Sequence, residues 1–259
     1  MRRNYKQFVA GLVLVSSWAA NADTVRITAT VESLVPMNSV SYAPFRVGFN
    51  NGTFDSFDLG SVATAPIISI AENGSGSAWF PAFAAADPTA VLGTVGGLLQ
   101  PGETASASFM VDTINNAYFT FAAMVVPSND FFIGNDSPTE YRLFDNAGNL
   151  LISEILLKAT DIWDAGSEVF DPAAAAFVGD NSLHTDQNSV VAREFAEFAA
   201  YNGLTTAAGY TFDSQLTADS EIYRISFSAS PVPVPAALPL FLSAMASLGV
   251  MARRRQRAK

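Results

Sequence analysis

The sequence predicts a mainly β domain, an antiparallel β-sandwich with one or two short helices, set between an apolar N-terminal helix and an apolar C-terminal helix. Three observations carry this reading. Apolar and polar residues alternate over several short stretches, the period of a half-buried strand. Gly, Asn, Asp and Pro punctuate those stretches, as tight turns require. Both ends are apolar with basic flanks, whereas all the acidic residues lie between them.

Residues 1–22 divide into three parts. Arg2, Arg3 and Lys6 are basic, Phe8 to Ala19 is a short apolar run, and Ala20-Asn21-Ala22 has the small-x-small pattern of a cleavage site. This is the layout of a secretory signal, too short to span a membrane comfortably and removed after Ala22 by signal peptidase. The domain then runs over residues 23–229. Val25, Ile27, Ala29 and Val31 alternate with Arg26, Thr28, Thr30 and Glu32, which predicts a first strand. Pro66 to Glu72 predicts a helix closed at Asn73-Gly74. Residues 73–102, rich in Gly and Ala, read as a long loop. Ser106–Val111 and Ala117–Val126 are strands joined tightly through Ile114-Asn115-Asn116. Tyr141–Phe144 and Leu150–Leu157 flank Asp145-Asn146-Ala147-Gly148-Asn149, a hairpin turn. Val191, Phe195 and Phe198, at i, i+4 and i+7, predict a second helix between Ser189 and Tyr201. Glu221 to Ser228 alternates again and finishes the sheet. The 20 phenylalanines are assigned to core packing.

The tail covers residues 230–259. Pro231, Pro233 and Pro235 alternate with valines and stiffen an extended segment. Ala236 to Ala252 carries no charge and is just long enough to cross a bilayer. Arg253, Arg254, Arg255 and Arg257 then hold the end on the cytoplasmic side. Val232-Pro233-Val234-Pro235-Ala236-Ala237, followed by a span and arginines, resembles the PEP-CTERM family of sorting signals, with Pro-Val-Pro for the usual Pro-Glu-Pro. The resemblance implies a membrane-anchored precursor, held transiently in the inner membrane and processed by an exosortase, an integral-membrane cysteine transpeptidase of Gram-negative bacteria. The product then reaches the cell surface or extracellular matrix.

Composition narrows the function classes. Without cysteine, no disulfide staples the fold and no thiolate can act as nucleophile or ligand. Between the two ends, 24 acidic residues face six basic ones. Such a surface repels phosphate backbones, so no nucleic-acid partner is expected. It attracts cations, and Ca²⁺ favours carboxylate and carbonyl oxygens. His184 is the sole histidine, which rules out an H-E-x-x-H metal pair, and no G-x-S-x-G elbow occurs. A Ser-His-Asp triad around His184 is conceivable only on paper. The expectation is a non-enzymatic protein. A secreted carbohydrate-active enzyme, for which two carboxylates suffice, and a ligand-free structural matrix component are the alternatives.

Three blocks in the middle resemble the spondin N-terminal domain, in the same order and over roughly residues 24 to 229. They are Phe45-Arg46-Val47-Gly48-Phe49 with Gly52-Thr53-Phe54-Asp55-Ser56-Phe57-Asp58, then Met124-Val125-Val126-Pro127-Ser128-Asn129-Asp130-Phe131-Phe132-Ile133-Gly134, then Trp163-Asp164-Ala165-Gly166-Ser167-Glu168. The resemblance implies a C2-like β-sandwich that binds one Ca²⁺ and acts in adhesion, with extracellular polysaccharide or a surface protein as partner. It places the calcium ligands on Asp130, Asp164 and Glu168, the last a glutamate where the family has aspartate. The residues alone agree in part. Asp161, Asp164 and Glu168 surround Gly166, but 34 residues separate Asp130 from Asp164, so spacing does not bring them together. Asp136 reads as a turn residue or as support for the site. Asp55 and Asp58 read as structural.

Overall fold

Alternation along the chain becomes two antiparallel sheets that share one core. The computed structural model describes residues 24–232. The signal, the sorting motif beyond Val232 and the 236–252 segment lie outside the described residues. In chain order the strands are β1 (Thr24–Ser33), β2 (Ser41–Tyr42), β3 (Phe45–Asn50), β4 (Val91–Val95), β5 (Thr104–Asp112), β6 (Tyr118–Val126), β7 (Phe131–Gly134), β8 (Tyr141–Arg142), β9 (Glu154–Lys158), β10 (Trp163–Asp164), β11 (Ala192–Arg193) and β12 (Glu221–Pro231). One sheet has the order β5-β1-β12-β9. The other runs β11-β10-β7-β6-β3-β4, with β2 and β8 also paired to β6.

The first sheet is amphipathic. Ile27, Ala29 and Val31 of β1 and Ile225 and Phe227 of β12 are buried, while Thr28 and Thr30 face outward and bond Ser108 and Ser106 of β5. The second sheet is covered on both faces, so β6 reads as one apolar run. Its Phe119, Phe121, Ala123 and Val125 enter the core between the sheets, and Ala122 lies in a second cluster with Phe132, Trp163 and the helices. Aromatic contacts fill the space between the sheets: Phe45 stacks at 5.1 Å on Phe121 of its own sheet and at 5.3 Å on Tyr223 of the other, and Phe119 meets Phe227 edge-on across the sheets at 4.8 Å. Core packing is thus the role of most phenylalanines.

Helix α1 (Ala65–Asn73) forms where expected, with proline in its first turn and Gly74 in the left-handed conformation donating to Ile70 O. Residues 73–102 are not a loop. They hold α2 (Trp79–Ala86) and β4. The signal lay in Trp79 and Phe83, one turn apart and both fully buried against the second sheet, but alanines and glycines around them masked the periodicity. The second predicted helix is also corrected: this stretch is β11 followed by a 3-10 helix, Ala196–Tyr201. Val191 is held extended because its N–H bonds Ser61 O and its C=O takes Gly60 N–H, so only Phe198 and Tyr201 adopt a helical spacing.

Two turns form where expected. Asp112 accepts the N–H groups of Ile114 and Asn115, and Asp145 those of Ala147 and Asn149. Both turns are tight, and the second closes a short hairpin in which Phe144 bridges Leu150 and Leu151 N–H bonds Leu143 O, while the longer strands on either side, β5 and β6 or β8 and β9, belong to opposite sheets. Strand β12 does not close the sheet at its edge. It lies between β1 and β9, and it continues to Pro231 opposite Val25, two residues past the expected domain boundary. Among the described residues, no helix is long and apolar enough to cross a membrane.

Candidate functional site

Strand pairing supplies what spacing could not. Phe131 and Phe132 of β7 pair with Asp164 and Trp163 of β10, which sets the loop before β7 beside the loop after β10. The first loop follows a cis Val126-Pro127 bond. Within it Ser128 donates to Val125 O and accepts Phe131 N–H, fixing Asn129 and Asp130 between them.

The second loop wraps around Asp130. Ala165 N–H bonds the Asp130 carbonyl. Asp130 Oδ2 then accepts Ser167 N–H at 2.7 Å, Ser167 O–H at 3.1 Å and Glu168 N–H at 3.0 Å. Gly166 makes this turn possible. Its φ is +64°, and a Cβ there would lie 2.8 Å from Val190 O. Its N–H donates to Asp164 Oδ1 at 2.6 Å, and its C=O accepts Ser189 N–H at 2.8 Å.

Asp130 is 2% exposed and Asp164 is half-buried, and the two carboxyls are within hydrogen-bonding reach of each other. Burial raises the pKa of both. For Asp164, burial and then the charge of Asp130 push it up to about 7. At Asp130 the donors of Glu168 and Ser167 oppose the effect of burial. Glu197 and Glu194 add further repulsion at Asp164.

Glu168 is buried but turned elsewhere. Its Oε1 accepts Asn129 Nδ2 at 3.0 Å. Burial raises its pKa, the Asn129 bond opposes this, and Glu72 and Asp130 add like charge. Asn129 is the hub that spacing did not single out. Its Nδ2 also reaches Asp171 O, and its Oδ1 accepts Asp171 N–H and Tyr201 O–H. Glu72 on α1 is a second participant that the sequence did not indicate: burial raises its pKa, and the charge of Asp130 adds to that from a separate element.

Two of the three candidate ligands, Asp130 and Asp164, are therefore brought together, and Glu168 joins them only through its backbone N–H. Among the described residues, no three His, Cys, Asp or Glu side chains gather as a metal-holding group. The donor chemistry still suits a hard cation. Asp130 and Asp164 form a compressed anionic pair, and neither Asp130 Oδ1 nor Asp164 Oδ2 accepts a backbone N–H among the described residues.

The remaining acids are engaged elsewhere. Asp136 accepts Leu59 N–H and ties the 52–60 loop to the sheet. Burial, then the charges of Asp58 and Asp136, raise Asp55. Asp161 accepts Lys158 N–H and pairs with Arg193, whose guanidinium stacks 4.0 Å above the Trp163 ring. His184 is exposed and 3.7 Å from Asp186, while Ser182 O–H bonds Asp180 rather than the imidazole. No family model matches the chain, and no curated protein is found to be similar to it.

Proposed function

We propose that this chain is an exported cell-surface or matrix protein, processed at both ends, whose C2-like, spondin-type domain binds calcium and serves adhesion rather than catalysis. The Asp130–Asp164 pair carries the reading. A buried and a half-buried carboxyl of like charge repel each other, and a fold that keeps them adjacent gains when a cation replaces the proton they share. Asp130 and Asp164 would hold the ion, with loop carbonyls completing its oxygen shell. The ion would supply charge neutralisation, and the 164–171 loop would be locked against β7. Exposed acids elsewhere on the domain keep the surface anionic, which suits an extracellular protein and disfavours polyanionic partners.

Calorimetric titration of calcium into the purified chain, beside Asp164→Asn, tests this. Saturable binding and a higher melting temperature in the parent, both lost in the variant, are expected. No heat and no thermal shift up to millimolar calcium in the parent would remove the metal from the proposal. Processing is tested separately by intact-mass analysis of protein recovered from the surface fraction of an exosortase-bearing host. The expected product starts at Asp23 and lacks the 236–252 segment, and a mature chain that retains Arg253 to Arg257 would refute the sorting assignment.

A further inference from the structure

A cavity of about 200 Å³ lies away from the acid pair, lined by Met37, Asn38, Gln100, Pro101, Glu103 and Tyr210. It is built from three connections: the β1–β2 loop, the β4–β5 turn and the segment before β12. We infer that this cavity is a binding subsite for one ring of a neutral polysaccharide. The inference deepens the proposed surface role and rests on it for the origin of the glycan, but the binding chemistry is independent of calcium.

The walls are fixed before any ligand arrives. Tyr210 O–H donates to Ser39 O at 2.8 Å and lies 3.1 Å from Ser41 Oγ, so its ring is anchored at the far end. Asn38 has φ of +67°, and its C=O accepts Asp213 N–H at 2.9 Å. Gln100 and Glu103 close their turn on each other, with Glu103 N–H bonding Gln100 O and Gln100 N–H bonding Glu103 Oε2. Ser33 N–H bonds Glu103 O and locks that turn to β1. Backbone and ring are thus preorganised, which reduces the entropy lost on binding. The side-chain amides of Asn38 and Gln100 are not consumed by these contacts.

The chemistry of the lining selects the ligand class. Asn38 and Gln100 each offer two N–H donors and a carbonyl acceptor in one plane, a match for neighbouring hydroxyls. Glu103 adds an acceptor. Tyr210 and the exposed Met37 offer an aromatic and a soft apolar surface for the C–H face of a sugar ring. Among the described residues, no basic side chain lines the cavity and the one charged group there is a carboxylate, so phosphate, sulfate and uronate ligands are disfavoured. The volume is below the roughly 300–1,000 Å³ of pockets that enclose drug-sized ligands. That size suits one ring of a chain that extends into solvent.

Saturation-transfer NMR on the whole chain tests the subsite, with hexamers of glucose, xylose, mannose and N-acetylglucosamine as neutral probes and a galacturonic acid hexamer as the anionic arm. Measurements in chelator and on Asp164→Asn separate this inference from the calcium reading. Transfer to at least one neutral hexamer is expected, retained in chelator and in Asp164→Asn. Affinity should fall at least ten-fold in Asn38→Gly, which suits the left-handed backbone and removes the side chain with its amide, and in Gln100→Ala. Tyr210→Phe keeps the ring and should bind within about three-fold of the parent if it remains folded. No transfer to any neutral hexamer, transfer to the anionic hexamer alone, or affinities unchanged in both amide variants would overturn the assignment.

Discussion

Replacing Gly48 with alanine is expected to destabilise the domain by about 1–3 kcal/mol, the usual cost of overpacking a well-filled core. Gly48 lies in β3 between Leu92 of β4 and Thr120 of β6. A Cβ there would sit 2.1 Å from Phe83 Cε1 and 2.4 Å from its Cζ. The ring has no room to retreat. It is fully buried, stacked at 4.1 Å on Phe54 and met edge-on by Trp79 at 4.8 Å. Either α2 lifts from the sheet or the aromatic cluster repacks. For a domain of this size the cost reads as a fall of roughly 2–4 °C in melting temperature per kcal/mol. The double variant Gly48→Ala/Phe83→Leu should lose less than the sum of the two single changes, because the smaller side chain vacates the space the methyl needs. Additive losses would show that the strain lies in the strand and not against the helix.

The same glycine marks where the fold was legible and where it was not. Strands with one solvated face announce themselves, and β1 and β12 were read from alternation because their inner residues are apolar and their outer ones are Thr, Ser and charged. Helix α1 was legible through Pro66 and Gly74, which act locally. Helix α2 was not, because its signal is tertiary: Phe83 is meaningful only opposite the missing side chain of Gly48. Pairing was also hidden. The turns at Asp112 and Asp145 are local, but whether the following strand folds back or crosses to the other sheet is decided by core packing.

The candidate site divides along the same line. Asp130 and Asp164 were singled out by motif resemblance, and the β7–β10 register is what joins them. The orientation of Glu168 depends on Asn129, and the approach of Glu72 depends on how α1 lies across the sheet. Neither dependence is encoded in neighbouring residues.

Asp130→Ala and Asp164→Asn are expected to move stability in opposite directions although both remove a charge from one pair. Without the Asp130 carboxylate, two buried N–H groups and one hydroxyl lose their acceptor. Each unsatisfied buried donor costs roughly 1–3 kcal/mol, and with partial relief from water a net loss of about 3 kcal/mol is expected. Asp164 anchors only Gly166 N–H, which an amide oxygen can still accept, so Asp164→Asn mainly removes repulsion and should raise the melting temperature of the calcium-free protein at pH 8. The pH profile follows from linkage. Asp164 titrates near 7 in the fold, against about 4 in an unfolded chain. Between those values the folded state holds more protons than the unfolded one, so its stability falls as pH rises through the window. Glu72, Glu168 and Glu197 are likewise raised by burial and act with the same sign. Asp112, Asp145 and Asp180 are lowered by hydrogen bonds from their own turns. Their contribution is present above about pH 4 and is lost only in stronger acid, outside this window. Thermal melts in chelator should therefore decline from about pH 4.5 to 8 in the parent and decline less steeply in Asp164→Asn, where Glu72, Glu168 and Glu197 still act, and calcium should restore the parent chiefly above pH 7, where the pair has lost its proton. A calcium-free protein that gains stability across that range would mean that Asp130 and Asp164 do not repel, and the electrostatic reason for a cation at this site would be gone.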